Sequence, residues 1–486
     1  MTEGSLKDRT IKGVGWSFID NFSSLGISFL VGIILARLLS PDEYGLIGIL
    51  TIFISIFNFI VDSGFTNALI RKKDTTDDDY CTVFYVNLAV SIIMASLLFG
   101  GAGLIATFFK RPELVNLTRV MSSIIVINSL AIVQKVRLTK QLDFKTQTKV
   151  TISATTFSGF VGVFMAFSGF GVWSLVFQQI TSRIVTTILL WVFNKWIPRN
   201  GFNKQSFAEL WDFGWKLLVS GLIDTLWKQI YQVIIGRFYT PVALGLYTRA
   251  KQFTELCSVN LTVVVQRVSF PMLSSIQDDL LRLKYAYQKV IKCTMLVTFV
   301  LMIGMAACAE SMISVLIGEK WLGCVPMLQI VCFSSMLYPL HAINLNMLQV
   351  QGRSDLFLKL EILKKIIAVG PLLLGVFIDI YWMLAGGICT SIIAYFLNAR
   401  YSGPFLGYSI KDQVLDILPS FCIAIVMAIP VFAMNFISIN PFVLFPLQVV
   451  VGAVITISTC EVIKLPEYLE LKGIVMPIIN KVIKRK

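Results

Sequence analysis

Fourteen stretches of this chain are each long and apolar enough to cross a lipid bilayer, and no other feature narrows its fold so far. About 20 predominantly apolar residues span the hydrocarbon core. The approximate limits here are 15–37, 44–66, 82–107, 114–134, 150–168, 172–194, 214–236, 245–271, 289–309, 323–349, 357–378, 380–399, 413–434 and 441–463. In hydrocarbon the backbone N–H and C=O groups must be satisfied internally, so such stretches fold as helices. The expected fold is all-α and integral to the membrane, with about 14 transmembrane helices. Of the 486 residues 56% are hydrophobic and only 14% charged, against about 25% charged in soluble proteins. The connections are too short to fold as separate soluble domains. The apolar run after Lys7, Arg9 and Lys12 is too long for a signal-peptide core and reads as a retained first helix.

The basic residues suggest an orientation. The N-terminus, the even-numbered loops and the C-terminus carry most of the 42 Lys and Arg. The opposite loops carry only Lys110, Arg111, Arg237 and Lys320, with Arg37 at a helix end. In short loops this bias marks the cytoplasmic side. Both termini are therefore expected to be cytoplasmic, which requires an even number of spans. The net charge of +14 is then mostly face charge meeting anionic headgroups. With no basic soluble module, nucleic acid is not an expected partner. Lys481, Lys484, Arg485 and Lys486 read as a solvated tail. Nine cysteines, nearly all in apolar spans and without a C-x-x-C pair, read as small buried hydrophobes rather than disulfides or metal ligands.

One motif occurs twice. Arg37-Leu-Leu-Ser-Pro41-Asp-Glu-Tyr-Gly45-Leu46 returns 200 residues later as Arg237-Phe-Tyr-Thr-Pro241-Val-Ala-Leu-Gly245-Leu246. Trp16 has a counterpart in Trp215, and Gln141 a weaker one in Gln351. The chain reads as a duplicated module: an N-terminal six-helix bundle at 1–200, a C-terminal six-helix bundle at 201–400, and an additional two-helix segment with a cytoplasmic tail at 401–486. An even number of crossings makes the two bundles parallel, a plan known from transporters. Residues 202–214 read as an interfacial helix linking the halves, and 137–150 as a basic amphipathic connection.

Three segments carry a family resemblance: Leu35 to Leu46, Asp62 to Lys73, and the Arg137 to Lys145 loop of the form R-x-x-x-x-x-x-F-K. Over about the first 400 residues the chain resembles the Wzx-type polysaccharide (O-antigen) flippases, most closely the colanic-acid type. These belong to the multidrug/oligosaccharidyl-lipid/polysaccharide exporter superfamily. The resemblance implies a polyprenyl-diphosphate-linked oligosaccharide, moved from the cytoplasmic to the periplasmic leaflet of the bacterial inner membrane for surface polysaccharide synthesis. Polysaccharide polymerase machinery is an implied partner beside membrane lipid. No catalytic residues are implied, no metal and no cofactor, though Na+ or H+ coupling is.

An ionisable side chain within a span costs several kcal/mol if it faces lipid, so it usually faces a cavity or a partner. Asp224 and Lys228 lie four apart on one helix face. They are either a self-neutralising pair or a cavity group with Lys228 on the diphosphate. Arg249, with no acidic residue near it on its helix, offers a forked donor set to phosphate, or else anchors at the interface. Arg183 and Arg119 are the first half's equivalent candidates for the diphosphate. Asp20 and Asp224, on the first helices of the two halves, are the candidate ion-coupling carboxylates, or else neutralise a cavity arginine. The rivals are an ion-coupled drug exporter of the same superfamily and, in another class, a membrane polysaccharide polymerase or ligase. Short outer loops without clustered His, Glu or Asp argue against the enzyme.

Overall fold

The computed structural model describes residues 3–62 and 64–483. In chain order the helices are α1 (Glu3–Leu38), α2 (Pro41–Asp62), α3 (Phe65–Arg71), α4 (Asp77–Gly100), α5 (Ala102–Phe109), α6 (Leu114–Met121), α7 (Ser123–Lys140), α8 (Phe144–Phe167), α9 (Trp173–Asn194) and α10 (Lys204–Phe238). They continue as α11 (Pro241–Ser275), α12 (Leu280–Ala307), α13 (Ala309–Leu316), α14 (Cys324–Ser335), α15 (Tyr338–Val350), α16 (Ser354–Ile367), α17 (Val369–Phe377), α18 (Ile380–Ser402), α19 (Ile410–Ala433), α20 (Pro441–Ile463) and α21 (Pro466–Ile483). Joined across their breaks, α2–α3, α4–α5, α6–α7, α12–α13, α14–α15 and α16–α17 act as single rods. With α1, α8, α9, α10, α11, α18, α19 and α20 they make the expected fourteen among the described residues. Eleven of these are long and apolar enough to cross a membrane. The chain is a multi-pass, all-helical membrane protein. The three rods outside that count carry the charge: α10 holds Asp224 and Lys228, α16 holds Lys359, Glu361, Lys364 and Lys365, and α1 begins with Lys7, Arg9 and Lys12.

The chain forms two compact units, Met1–Gly245 and Leu246–Lys486. In the first, α8 packs on both α1 and α9, α7 lies against α4 and α9, and α2 and α3 lie against α10. Its core gathers Phe65, Leu69, Val83, Phe84, Val133, Val136 and Leu210. In the second, α12 packs against α19 and α14, and α18 against α14, α15 and α17. The same helix breaks recur in both units. The third rod breaks at Gly101 and the ninth at Cys308; the fourth breaks at Ser122 and the tenth near Leu337.

The repeated motif is a corner that ends one helix and starts the next. Ser40 and Glu43 form a capping box at the head of α2: Ser40 N–H donates to Glu43 Oε2 at 2.6 Å, and Glu43 N–H donates to Ser40 Oγ at 3.4 Å. In the second copy Thr240 Oγ1 accepts from Ala243 N–H at 3.2 Å. Pro41 and Pro241 occupy the first helical position, where a missing N–H leaves no bond unmade. The two copies meet. A Cβ on Gly45 would lie 1.9 Å from the Pro241 carbonyl oxygen, and one on Gly245 would lie 2.0 Å from that of Pro41. Only glycine permits that approach from either side.

Two connections differ from the sequence reading. Residues 204–214 are not a separate linking helix; they are the first turns of α10, continuous with span seven. The 137–150 connection is a tight turn, because Leu142 takes φ 57° and lets α8 start at Phe144. Beyond Lys464 the chain is not a tail throughout. It folds as α21, whose Glu470 pairs with Lys289 at 2.9 Å; Lys484, Arg485 and Lys486 lie outside the described residues.

Candidate functional site

The charged candidates are best judged by their depth. A helix rises 1.5 Å per residue, so Lys228 sits about 15 Å before the end of α10 at Phe238, near mid-depth of a hydrocarbon core about 30 Å thick. Asp224 lies one turn away. Its Oδ2 is 2.8 Å from Lys228 Nζ, so the i,i+4 pair forms, with the lysine side chain 71% exposed and the aspartate 47%. Arg183 lies at the middle of α9 and is exposed. Arg119, nearer the end of its rod, is exposed with its guanidinium 5.3 Å from the centroid of the Phe99 ring.

Arg249 has a different setting. It is 5% exposed, its guanidinium lies 5.6 Å from the Trp321 ring centroid, and Nη1 donates to Gln252 Oε1 at 2.6 Å. Trp321 is itself fully buried. In this conformation Arg249 ties α11 to the wall of the second unit.

Asp20, on α1, is half-buried and not alone. The Thr151 hydroxyl of α8 is within hydrogen-bonding reach of its carboxylate, and Lys135 of α7 acts on it electrostatically. Lys135 also acts on Asp62, at the end of α2, whose Oδ1 accepts from the Thr66 hydroxyl. Nearby on the same helices Asn128 Nδ2 donates to Asn58 Oδ1 at 3.2 Å. One oxygen of Asp20, Oδ1, is buried without a hydrogen-bond partner. The charge of one ammonium on α7 thus acts on two carboxylates, on α1 and α2. Lys135 is the residue that sequence reasoning passed over. It sits among the loop cations Arg137 and Lys140, and only the packing of α7 against α2 separates it from them.

Residues 34–326 match the family described as polysaccharide biosynthesis protein. The chain belongs to that family. Among the relatives of this polysaccharide biosynthesis protein is the teichuronic acid biosynthesis protein TuaB of Bacillus subtilis (strain 168), 27% identical over 72% of this chain and 73% of that one. The succinoglycan biosynthesis transport protein ExoT of Rhizobium meliloti (strain 1021) is 28% identical over 66% of this chain and 65% of its own length. The lipopolysaccharide biosynthesis protein WzxC of Escherichia coli (strain K12) is 23% identical over 85% of each chain. The Wzx-type resemblance read from the motifs is thereby borne out.

The fold is shared with solved transporters. The lipid II flippase MurJ, in an inward closed conformation, superposes with a TM-score of 0.75 over 93% of this chain and 98% of that one, at 13% identity. An inward-facing multidrug resistance MATE transporter does so with a TM-score of 0.62, covering 80% of this chain and 99% of its own, at 14% identity. The chain therefore has the fold of the MurJ and MATE transporters.

Proposed function

We propose that the protein carries a polyprenyl-diphosphate-linked oligosaccharide from the cytoplasmic to the periplasmic leaflet of a bacterial inner membrane, by alternating access, for assembly of a surface polysaccharide. The observation that carries this reading is the exposure of Lys228 and Arg183 near the middle of spans seven and six. Facing lipid, a cation at that depth costs about 2.5–3.5 kcal/mol on insertion scales, and many times that on an isolated helix. A water-filled cavity removes that cost, and a diphosphate gives the cations a ligand. A diphosphate with its sugars cannot cross hydrocarbon unaided, because its charges are too costly to desolvate. Membership of a polysaccharide biosynthesis family supplies the sugar.

In this reading Lys228, Arg183 and Arg119 hold the diphosphate, and Asp224 keeps Lys228 oriented in the empty state. Asp20, with one oxygen unsatisfied beside Lys135, is the group that takes up a coupling proton or sodium ion. The test is complementation of a deletion strain. Lys228→Ala combined with Arg183→Ala, expressed at the wild-type level, should abolish surface polysaccharide and accumulate polyprenyl-linked sugars, and Asp20→Asn should remove the ion dependence of export. Full export by the double variant would defeat the site assignment. Unchanged polysaccharide in the deletion strain, with new sensitivity to cationic drugs, would favour the drug-exporter reading instead.

A further inference from the structure

The first unit has a second basic site, far from the mid-depth cations, where the start of α4 meets the ends of α7 and α9. A cavity of about 220 Å³ opens there, lined by Asp77, Arg137, Asn194, Lys195, Arg199 and Asn200, among others. Three cations surround one carboxylate. That carboxylate is engaged: Asp77 Oδ1 accepts from Trp196 Nε1 at 3.3 Å and lies 3.8 Å from Arg137 Nη1. Asn194 is engaged as well, donating to Gln134 Oε1 at 2.6 Å. The cations keep unused donors. Arg137 is fixed with its guanidinium 5.2 Å from the ring centroids of both Tyr80 and Trp196, yet its Nη1 is buried without a hydrogen-bond partner. Lys195 takes φ 50° at the end of α9, which turns the chain out of the helix beside the cavity.

We infer that this cavity binds the phosphate of an anionic lipid headgroup. A fixed guanidinium whose Nη1 lacks a hydrogen-bond partner, with two exposed cations, is a suitable donor set for a phosphate, which accepts several charge-assisted hydrogen bonds at once. The surroundings point to a lipid as the source. Ile197, which lines the cavity, is 58% exposed, and Phe193 and Phe202 beside it are 48% and 55% exposed. Apolar side chains at such a rim suit acyl chains beneath a headgroup, and buried Trp196 with Trp191 forms the wall behind them. The site lies on the face where the excess of Lys and Arg favours anionic lipid. It requires neither the transport reading nor a particular substrate.

The test uses the purified full-length protein and native mass spectrometry with phosphatidylglycerol, phosphatidylcholine or inorganic diphosphate. Wild type should retain one phosphatidylglycerol more than Lys195→Gln/Arg199→Gln, whose altered side chains are exposed in the wild type and leave the fold intact. Affinity for phosphatidylglycerol should fall about tenfold or more in that variant, since charge-assisted hydrogen bonds to the phosphate are lost. Arg137→Gln should match it. Equal retention by wild type and the double variant, or equal retention of phosphatidylcholine, would overturn the site. Displacement of phosphatidylglycerol by millimolar diphosphate would overturn the lipid source and assign the cavity to a soluble phosphate. Because the readout is binding, loss of this site and loss of the transport assignment are told apart.

Discussion

Gly45 carries the strictest demand on any side chain in the described structure. A Cβ there meets a backbone carbonyl at 1.9 Å, and a backbone atom cannot step aside as a flexible side chain can. Gly45→Ala should therefore destabilise the protein by about 3 kcal/mol, at the upper end for overpacking, read as a lowered unfolding temperature in detergent. Gly245→Ala should do the same. Gly103→Ala is the control, because nothing lies within 4 Å of a Cβ there, and its unfolding temperature should hold or rise slightly. The glycine's recurrence was visible in the sequence, but its purpose was not, because the partner lies 196 residues away. The same limit applied to Arg249. The sequence showed a cation with no acid one turn away, and the structure supplies an aromatic ring from a distant segment. Helical spacing reports neighbours on the same helix and nothing across it.

At the scale of the element, α10 is more tightly bound to the first unit than a linker between duplicated halves has to be. Its first turns are held on α3 and α4. Arg71 lies 4.3 Å from the Phe213 ring centroid, Phe65 packs its ring on Phe207 and Trp211, and Asn203 caps the helix while its own N–H donates to Thr82 Oγ1. Lys72 completes the clamp, 3.0 Å from Asp79 and 2.9 Å from Glu209. Burial alone lowers the affinity of Lys72 for its proton, but the two carboxylates outweigh it and hold the ammonium above its ordinary range. A raised lysine keeps its stabilising charge at all pH below its unfolded value and loses it only on strong alkalinisation. The two acids are not equivalent. Asp79 is fully buried and Glu209 is 59% exposed. Lys72→Met leaves a buried carboxylate without its cation and should cost about 2 kcal/mol, below the usual figure for a buried pair because the lysine is partly exposed. Glu209→Gln removes an exposed partner and should cost under about 1 kcal/mol. Chemical denaturation in detergent checks the ordering, and equal losses would refute it.

For the whole molecule, the fourteen rods were legible because hydrophobic length is a local property and bilayer thickness supplies the ruler. Even the break between α17 and α18 could be read, since Asp379 caps the following helix through Tyr381 N–H at 3.0 Å. The glycine pair at Gly100 and Gly101 marked a bend, whereas the breaks at Ser122 and Cys308 could not be read, because they lie inside continuous apolar sequence. The polar set of Asp20, Asp62 and Lys135 was half legible: both acids stood out, while their shared lysine was hidden among loop cations. Orientation follows from charge rather than shape and has its own test. In spheroplasts an impermeant thiol reagent should label Lys110→Cys and Lys320→Cys. It should leave Lys73→Cys and Arg353→Cys unlabelled until the membrane is opened. The reverse pattern would invert the topology.

The contact between Gly45 and Pro241 also sets a clock. The first unit runs to Gly245, so it borrows its last residues from the second copy of the motif. A ribosome adding about 5–20 residues per second needs about 10–40 s to travel from the first glycine to its partner. Through that interval α2 is in the membrane with its corner uncovered and α3 without its clamp. The duplicated chain is thus not two modules made in turn. The earlier half waits, incomplete, for the later one to begin.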